Sequence, residues 1–290
     1  MLYAKKRIKS GPMLEDLYYP VTPSGRQVPG SIPKTSGTTA AQSAYNAKQS
    51  EVREVRIVNT NFIDGDIFMT LTYADGCPDR PKNDDEAAAK MQRYIRRVKR
   101  WRSASGEGAM KYAYSIHVKI RKSGKYKGEP MYHYHLFMSK MDRNAAERLW
   151  KDGAQVDAKS FDPWAYGQEA AARYMARGAK PKKDPEEGDE ELLDRSGRRR
   201  FACSRNCTKP EIPKKQKRMN ISKRKAEEMA TAHIDDAAYW QGKVPEGYVY
   251  RSMDYILNPW NGMYYWRVTY RRLPEWNTKK KRKEKRTHDT

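Results

Sequence analysis

The sequence predicts an α+β fold, because stretches of period-two apolar alternation and stretches of helical periodicity occupy separate parts of the chain. Three stretches alternate. In Asp66–Tyr73, Ile67, Met69, Leu71 and Tyr73 interleave with Phe68, Thr70 and Thr72, which describes a strand with one apolar and one more polar face. In Lys111–Arg121, Tyr112, Tyr114, Ile116, Val118 and Ile120 alternate with Ala113, Ser115, His117, Lys119 and Arg121. A Gly-Lys-rich hairpin then leads to a third strand over Met131–Ser139.

The helices follow from composition and end signals. Ala40–Val58 is rich in Ala, Gln, Lys, Glu and Arg, with Tyr45, Val52, Val55 and Ile57 available to share a face. Asp84-Asp85-Glu86 places negative charge at the start of a helix that ends in Arg96, Arg97, Lys99, Arg100 and Arg102, which matches the macrodipole at both ends. Its expected buried stripe is Met91, Ile95, Val98 and Trp101. Ala145–Lys151 reads as a short helix and Tyr166–Arg177 as a longer one, stopped by Gly178 and Pro181. Lys223–Ala238 has helical composition, Tyr248–Arg272 is aromatic and strand-like, and Pro185–Asp194 is an acidic, solvated loop.

These readings divide the chain into an extended or disordered arm over 1–39, a globular domain over 40–212, a helical and aromatic extension over 213–277, and a basic disordered tail over 278–290. The arm is Pro, Gly, Ser and Thr without hydrophobic periodicity, and the tail carries too much charge to fold.

Composition points to a polyanionic partner. The chain has 290 residues, with 59 Lys and Arg against 36 Asp and Glu, for a net charge of +23. A field of that sign attracts nucleic acid and releases its counterions on binding, and 20 Tyr with 7 Trp add surfaces on which unpaired bases can stack. No stretch approaches a membrane span, and Met1–Met13 lacks the apolar core of a secretory signal, so the expected setting is the cytoplasm without a membrane. Cys77, Cys203 and Cys207 read as ordinary thiols, since Cys203-x3-Cys207 lacks a second Cys/His pair at zinc spacing.

Of 5 histidines, His133 and His135 occupy alternate positions of one strand, so both imidazoles project from the same face. That arrangement suits a bidentate metal site, although a pair of solvent-facing histidines would give the same spacing. His117 lies on the more polar face of the preceding strand, across the hairpin. Three imidazoles on one sheet face could hold an ion with positions open to water or substrate. Tyr174 is the candidate nucleophile, with Arg177 on the same helical face, and Arg173 and Lys180 as further phosphate partners. Arg93, Arg96 and Arg100 are candidate DNA contacts on the basic helix.

Taken together, Phe68-Met69-Thr70-Leu71-Thr72-Tyr73, His133-Tyr134-His135 and Tyr174-Met175-Ala176-Arg177 resemble, in that order, the motifs of the HUH endonucleases, particularly the replication initiators of phages and rolling-circle elements. Asn61-Phe62, Ser204-Arg205-Asn206 and Lys209-Pro210 extend the resemblance over roughly residues 35–212. The resemblance implies a central antiparallel sheet with helices on one face, and the metal, Mg2+ or Mn2+, and the tyrosine on the other. It also implies that Tyr174 attacks a scissile phosphate of single-stranded origin DNA, leaving a 5′-phosphotyrosine link and a 3′-hydroxyl for a polymerase. Relatives commonly carry Lys where Arg177 stands, which keeps the charge and removes an easy proton carrier. Many also place an acidic third ligand where this sequence offers His117, with Glu129 or Glu54 as substitutes. No ATP-binding loop is present, so strand separation falls to a host helicase. A relaxase or single-strand transposase would use the same chemistry, and a noncatalytic single-strand-binding module would use the same charge.

Overall fold

The computed structural model describes residues 2–24, 40–74, 76–121, 124–151, 155–160, 171–173, 175–176, 190–191, 201–213, 217–219, 221–234, 236–258 and 261–273. Along the chain these form β1 (Leu2–Ser10), β2 (Met13–Val21), α1 (Ala40–Asn61), β3 (Ile67–Thr72), α2 (Asp84–Ala104), β4 (Tyr112–Ile120) and β5 (Pro130–Met138). There follow α3 (Arg143–Arg148), β6 (Gln155–Ser160), β7 (Glu190–Glu191), β8 (Phe201–Cys203), β9 (Lys217–Met219), α4 (Lys223–Thr231), α5 (Ala237–Gln241), β10 (Tyr248–Asn258) and β11 (Met263–Arg272). Of the helix expected over Tyr166–Arg177, residues 171–173 and 175–176 are described and helical. Most of the expected acidic loop and the whole of the tail lie outside the described residues.

The fold is α+β and its sheets are antiparallel. It divides into two units, Ala44–Thr208 and the combination of Met1–Ser43 with Lys209–Thr290.

In the first of these, the sheet runs β6-β3-β5-β4-β7, with β8 also paired to β4. The alternation in β3 buries Ile67, Met69 and Leu71 on one side, where they meet Tyr114, Ile116, Tyr134 and Leu136 of the neighbouring strands. Helix α2 covers that side. Asn83 caps it by accepting a hydrogen bond from the Glu86 backbone N–H at 2.9 Å, one of the orphan donors of the first turn, and the Glu86 carboxylate reaches back to the Lys82 N–H, just ahead of the cap, at 2.9 Å. Ala87, Met91, Tyr94, Ile95 and Val98 form the stripe against the sheet. Tyr94 joins the expected set, and Trp101 is only partly buried at its edge. Each large apolar side chain so buried stabilises the unit by about 1.5–3 kcal/mol.

The expectation of helices on one face only does not hold. Helices α2 and α3 contribute to the cluster on one side, whereas Val55 and Val58 of α1, with Ala172, Met175 and Ala176, close a second cluster on Phe137 and Ala113 of the other side. The reason lies in β4 and β5, where six and seven consecutive residues are buried. Both faces of the central strands need cover. The buried stripe of α1 runs through Glu51, Val55 and Val58 to Phe62, just past the helix; of the expected set Val55 lies on it, Val52 and Ile57 are only partly buried, and the Tyr45 side chain is outside what is described.

The second unit corrects the expected arm. Residues 2–21 form a hairpin inside a five-stranded sheet of order β10-β11-β2-β1-β9. Its two-residue loop, Gly11-Pro12, has Gly at φ 56° in the first central position, the residue a primed hairpin turn calls for. The lysines and arginine of β1 hide its alternation. Arg7 donates to both carboxylate oxygens of buried Asp16 at 2.7 Å, and Lys5 adds a third bond at 3.2 Å. Tyr18 stacks on Trp266 at 4.8 Å, and α4 and α5 supply Ala226, Met229, Ala230 and Trp240 to the same core. The single helix expected over Lys223–Ala238 is two, because Asp236 caps α5 by accepting from the Tyr239 N–H at 2.8 Å.

Candidate functional site

The pleat of β5 sends Tyr132, Tyr134, Leu136 and Met138 into the core beneath α2, so His133, His135 and Phe137 take the opposite face. Register brings the partners into place. His117 of β4 stands directly opposite His133, Ser115 opposite His135, and Thr70 of β3 opposite His135 from the other side. His117 therefore gathers with a pair that lies sixteen and eighteen residues further on, with ring centroids 5.3 Å (117–133), 5.0 Å (117–135) and 5.1 Å (133–135) apart.

They are not outward-facing. His117, His133 and His135 are 4%, 6% and 0% exposed. His135 lies beside the Phe68 ring at 6.0 Å and shares a hydrogen bond between its Nδ1 and Thr70 Oγ1 at 3.2 Å. Burial first, then the neighbouring His117 and His133, push its pKa down to about 2, so it is a neutral imidazole at neutral pH. A metal ligand must be in that form.

His117 is held from above as well as from the sheet. Its Nε2 lies 2.8 Å from the Met175 carbonyl oxygen and 2.9 Å from Ser115 Oγ. A carbonyl only accepts, so Nε2 carries the proton and offers no lone pair there. Among the described residues no group of three or more His, Cys, Asp or Glu side chains is arranged to hold a metal ion as it stands. The donor types and their proximity fit a divalent cation. With Nε2 held by the Met175 carbonyl, the lone pair that His117 can offer a cation is on Nδ1, and a ligating imidazole commonly has its other nitrogen fixed in this way. Glu129 and Glu54, the substitute ligands, are not gathered with the imidazoles: Glu129 is 55% exposed and faces Arg80 at 3.9 Å, and Glu54 accepts from Ser50 Oγ at 3.1 Å on the exposed side of α1.

Tyr174, Arg177 and Lys180 lie outside the described residues. Arg173 lies within them, with its guanidinium 3.6 Å from the Glu51 carboxylate of α1. Glu51 is the acidic residue that sequence reasoning missed. Its position one turn before Val55, on the stripe that continues to Val58 and Phe62, was the available signal.

The basic helix is on the wrong side for the histidines. Arg93, Arg96 and Arg100 are exposed on α2, whose buried stripe packs on the sheet face opposite the imidazoles. Their helical phase followed from the sequence, but the face on which α2 docks did not. No family model matches the chain, and no curated protein or solved structure matches it.

Proposed function

We propose that this protein is a replication initiator of the HUH type, which nicks single-stranded origin DNA through Tyr174 and keeps the 5′ end as a phosphotyrosine link. The observation that carries this reading is the gathering of His117, His133 and His135 on one sheet face, tied at Met175 to the segment that contains Tyr174. His133, His135 and His117 would hold Mg2+ or Mn2+. When bound, such an ion polarises a non-bridging phosphate oxygen and stabilises charge as the bond breaks. The Tyr174 hydroxyl loses its proton to solvent as its oxygen forms the new bond to phosphorus, the P–O3′ bond breaks, and the released 3′-oxygen takes a proton from solvent to become the primer end for a polymerase. Thr70 and Ser115 set the ring orientations of His135 and His117. Arg173 is held by Glu51, and a phosphate would compete for it. A host helicase supplies single strand.

The test is incubation of end-labelled single-stranded origin DNA with the protein and Mn2+ or Mg2+, followed by denaturing electrophoresis. A covalent adduct mapped by peptide mass to Tyr174, absent from Tyr174→Phe although that variant binds the same DNA, is the expected result. An adduct on another residue overturns the nucleophile, and nicked product without adduct makes water the nucleophile.

A noncatalytic single-strand-binding module is the second reading, favoured by the net charge of +23, which calls for a polyanionic partner and not for a metal. It gives binding without metal dependence and no adduct under any condition.

A further inference from the structure

On the other face of the same sheet, where α2 ends and β4 begins, lies a cleft of about 710 Å³ lined by Lys99, Arg102, Tyr112, Ser204, Arg205 and Asn206 together with the 107–110 turn. The volume is in the range of small-molecule sites, roughly 300–1,000 Å³. Tyr112 and Tyr114 point to the α2 side of β4, whereas His117 points away from it, so this cleft is separate from the imidazoles.

Its groups divide into a frame and a set that faces a ligand. Arg102 belongs to the frame: it is buried, ion-paired to Glu107 at 2.6 Å, and donates to the carbonyls of Lys140 at 2.7 Å and Gly108 at 3.1 Å. Ser204 is in the frame too. Its N–H donates to the Tyr112 carbonyl at 2.8 Å and its hydroxyl oxygen accepts the Tyr112 N–H at 3.1 Å, which fixes the backbone from which the next residue, Arg205, lines the cleft. Asn206 donates to the Met110 carbonyl at 3.3 Å and keeps its own side-chain oxygen as an acceptor at the rim.

What remains is two exposed cations around one half-buried aromatic ring. Lys99 Nζ sits 5.2 Å from the centre of the Tyr112 ring, and the exposed Arg205 lines the same cleft. Neither cation has a carboxylate partner among the described residues. The opposed Arg102–Glu107 pair is internally neutral, so the charge left for a ligand is that of Lys99 and Arg205.

We propose that this cleft binds a nucleoside phosphate, with the phosphate between Lys99 and Arg205 and the base against Tyr112. Aromatic stacking with flanking cations is the chemistry that holds unpaired nucleotides. The ligand is either a free nucleotide or one unit of a single strand. Arg96, one helical turn before Lys99 on the exposed side of α2, extends the cationic surface in the direction a strand would leave. The inference does not depend on the nicking reading, since no group of the cleft belongs to the histidine face.

The experiment is done in EDTA on Tyr174→Phe protein, so that neither metal nor covalent chemistry contributes. Binding of a fluorescent twelve-residue oligodeoxythymidylate is followed by anisotropy as a function of salt, and binding of thymidine monophosphate by calorimetry. Lys99→Ala/Arg205→Ala is compared with Lys125→Ala/Lys127→Ala, which removes the same charge from the exposed β4–β5 turn. The cleft variant should bind the oligonucleotide about tenfold more weakly than this control, with a salt slope shallower by about 0.7 for each lost contact. Tyr112→Leu should lose about tenfold and Tyr112→Phe little. Binding of the monophosphate that is lost in the cleft variant identifies a free nucleotide as the ligand, and loss confined to the oligonucleotide identifies the strand. Equal affinity of the cleft variant and the control for both ligands overturns the proposal, whether or not the wild-type protein forms an adduct in the separate nicking assay.

Discussion

Replacing His135 by Ala separates the burial of the imidazoles from their chemistry. The ring is fully buried between Phe68, His117 and His133, with one hydrogen bond to Thr70. A void of roughly 65 Å³ at ~24 cal/mol per Å³ costs about 1.5 kcal/mol. Loss of the Thr70 hydrogen bond adds about 1 kcal/mol. The variant should therefore be less stable by about 2–3 kcal/mol in EDTA, which at a urea dependence of ~2 kcal/mol per molar moves the midpoint down by about 1 M. This differs from the expectation for an outward-facing pair, whose removal would leave the fold untouched. Metal adds a second, opposite change. At a Mn2+ concentration a hundred times its dissociation constant, a ligand that binds only the folded protein stabilises it by about 2.7 kcal/mol. Wild-type protein should gain that increment and His135→Ala should not. Circular dichroism over a urea series, with EDTA and with Mn2+, reads both. An unchanged midpoint in EDTA refutes the burial argument, and an equal Mn2+ shift in the two proteins refutes His135 as a ligand.

The Glu51–Arg173 pair should appear in a double-mutant cycle. Glu51→Gln and Arg173→Gln each destabilise, and the double variant loses less than their sum by about 0.5–1 kcal/mol, a figure reduced for the partial exposure of Arg173. Additive losses would show that the two side chains do not interact. Asp66 gives a pH test. Burial raises its pKa above the ordinary carboxylate value, although the Ile63 and Lys140 N–H groups donate to it at 2.8 Å and pull the other way. The folded state then binds this proton more readily than the unfolded chain. Its contribution is full below the unfolded pKa, near 4, and is lost as pH rises through the folded value. Asp66→Asn should flatten the change of urea midpoint with pH from about 4 upward, and the same slope in both proteins would contradict the assignment.

Strands β3, β4 and β5 and helix α2 were legible because each carries its period in its own residues, and α2 also announces its cap and its charge gradient. The common face of His133 and His135 followed from the pleat alone. Their burial did not, because it depends on Val55, Val58 and Met175, which reach the sheet from distant segments. Glu51 was hidden for a related reason, since a carboxylate on an apolar stripe reads as a solvated residue until Arg173 is placed beside it. The amino-terminal hairpin was illegible because its charges mask its alternation. Lys5 and Arg7 share a face with Tyr3, and only Asp16 on the partner strand explains them.

The threading of that hairpin between β11 and β9 sets an order on biosynthesis. Tyr18 finds its partner Trp266 only after some 250 residues more have been made, which at about 5–20 residues per second is a delay of roughly 12–50 s. The unit over Ala44–Thr208 is continuous in sequence, so it can complete its own sheet while the hairpin waits with both edges open. Such edges invite pairing with other nascent chains. The salt-bridged charges of β1 that obscured the strand in the sequence also guard it during that interval, until β11 closes against the first pair.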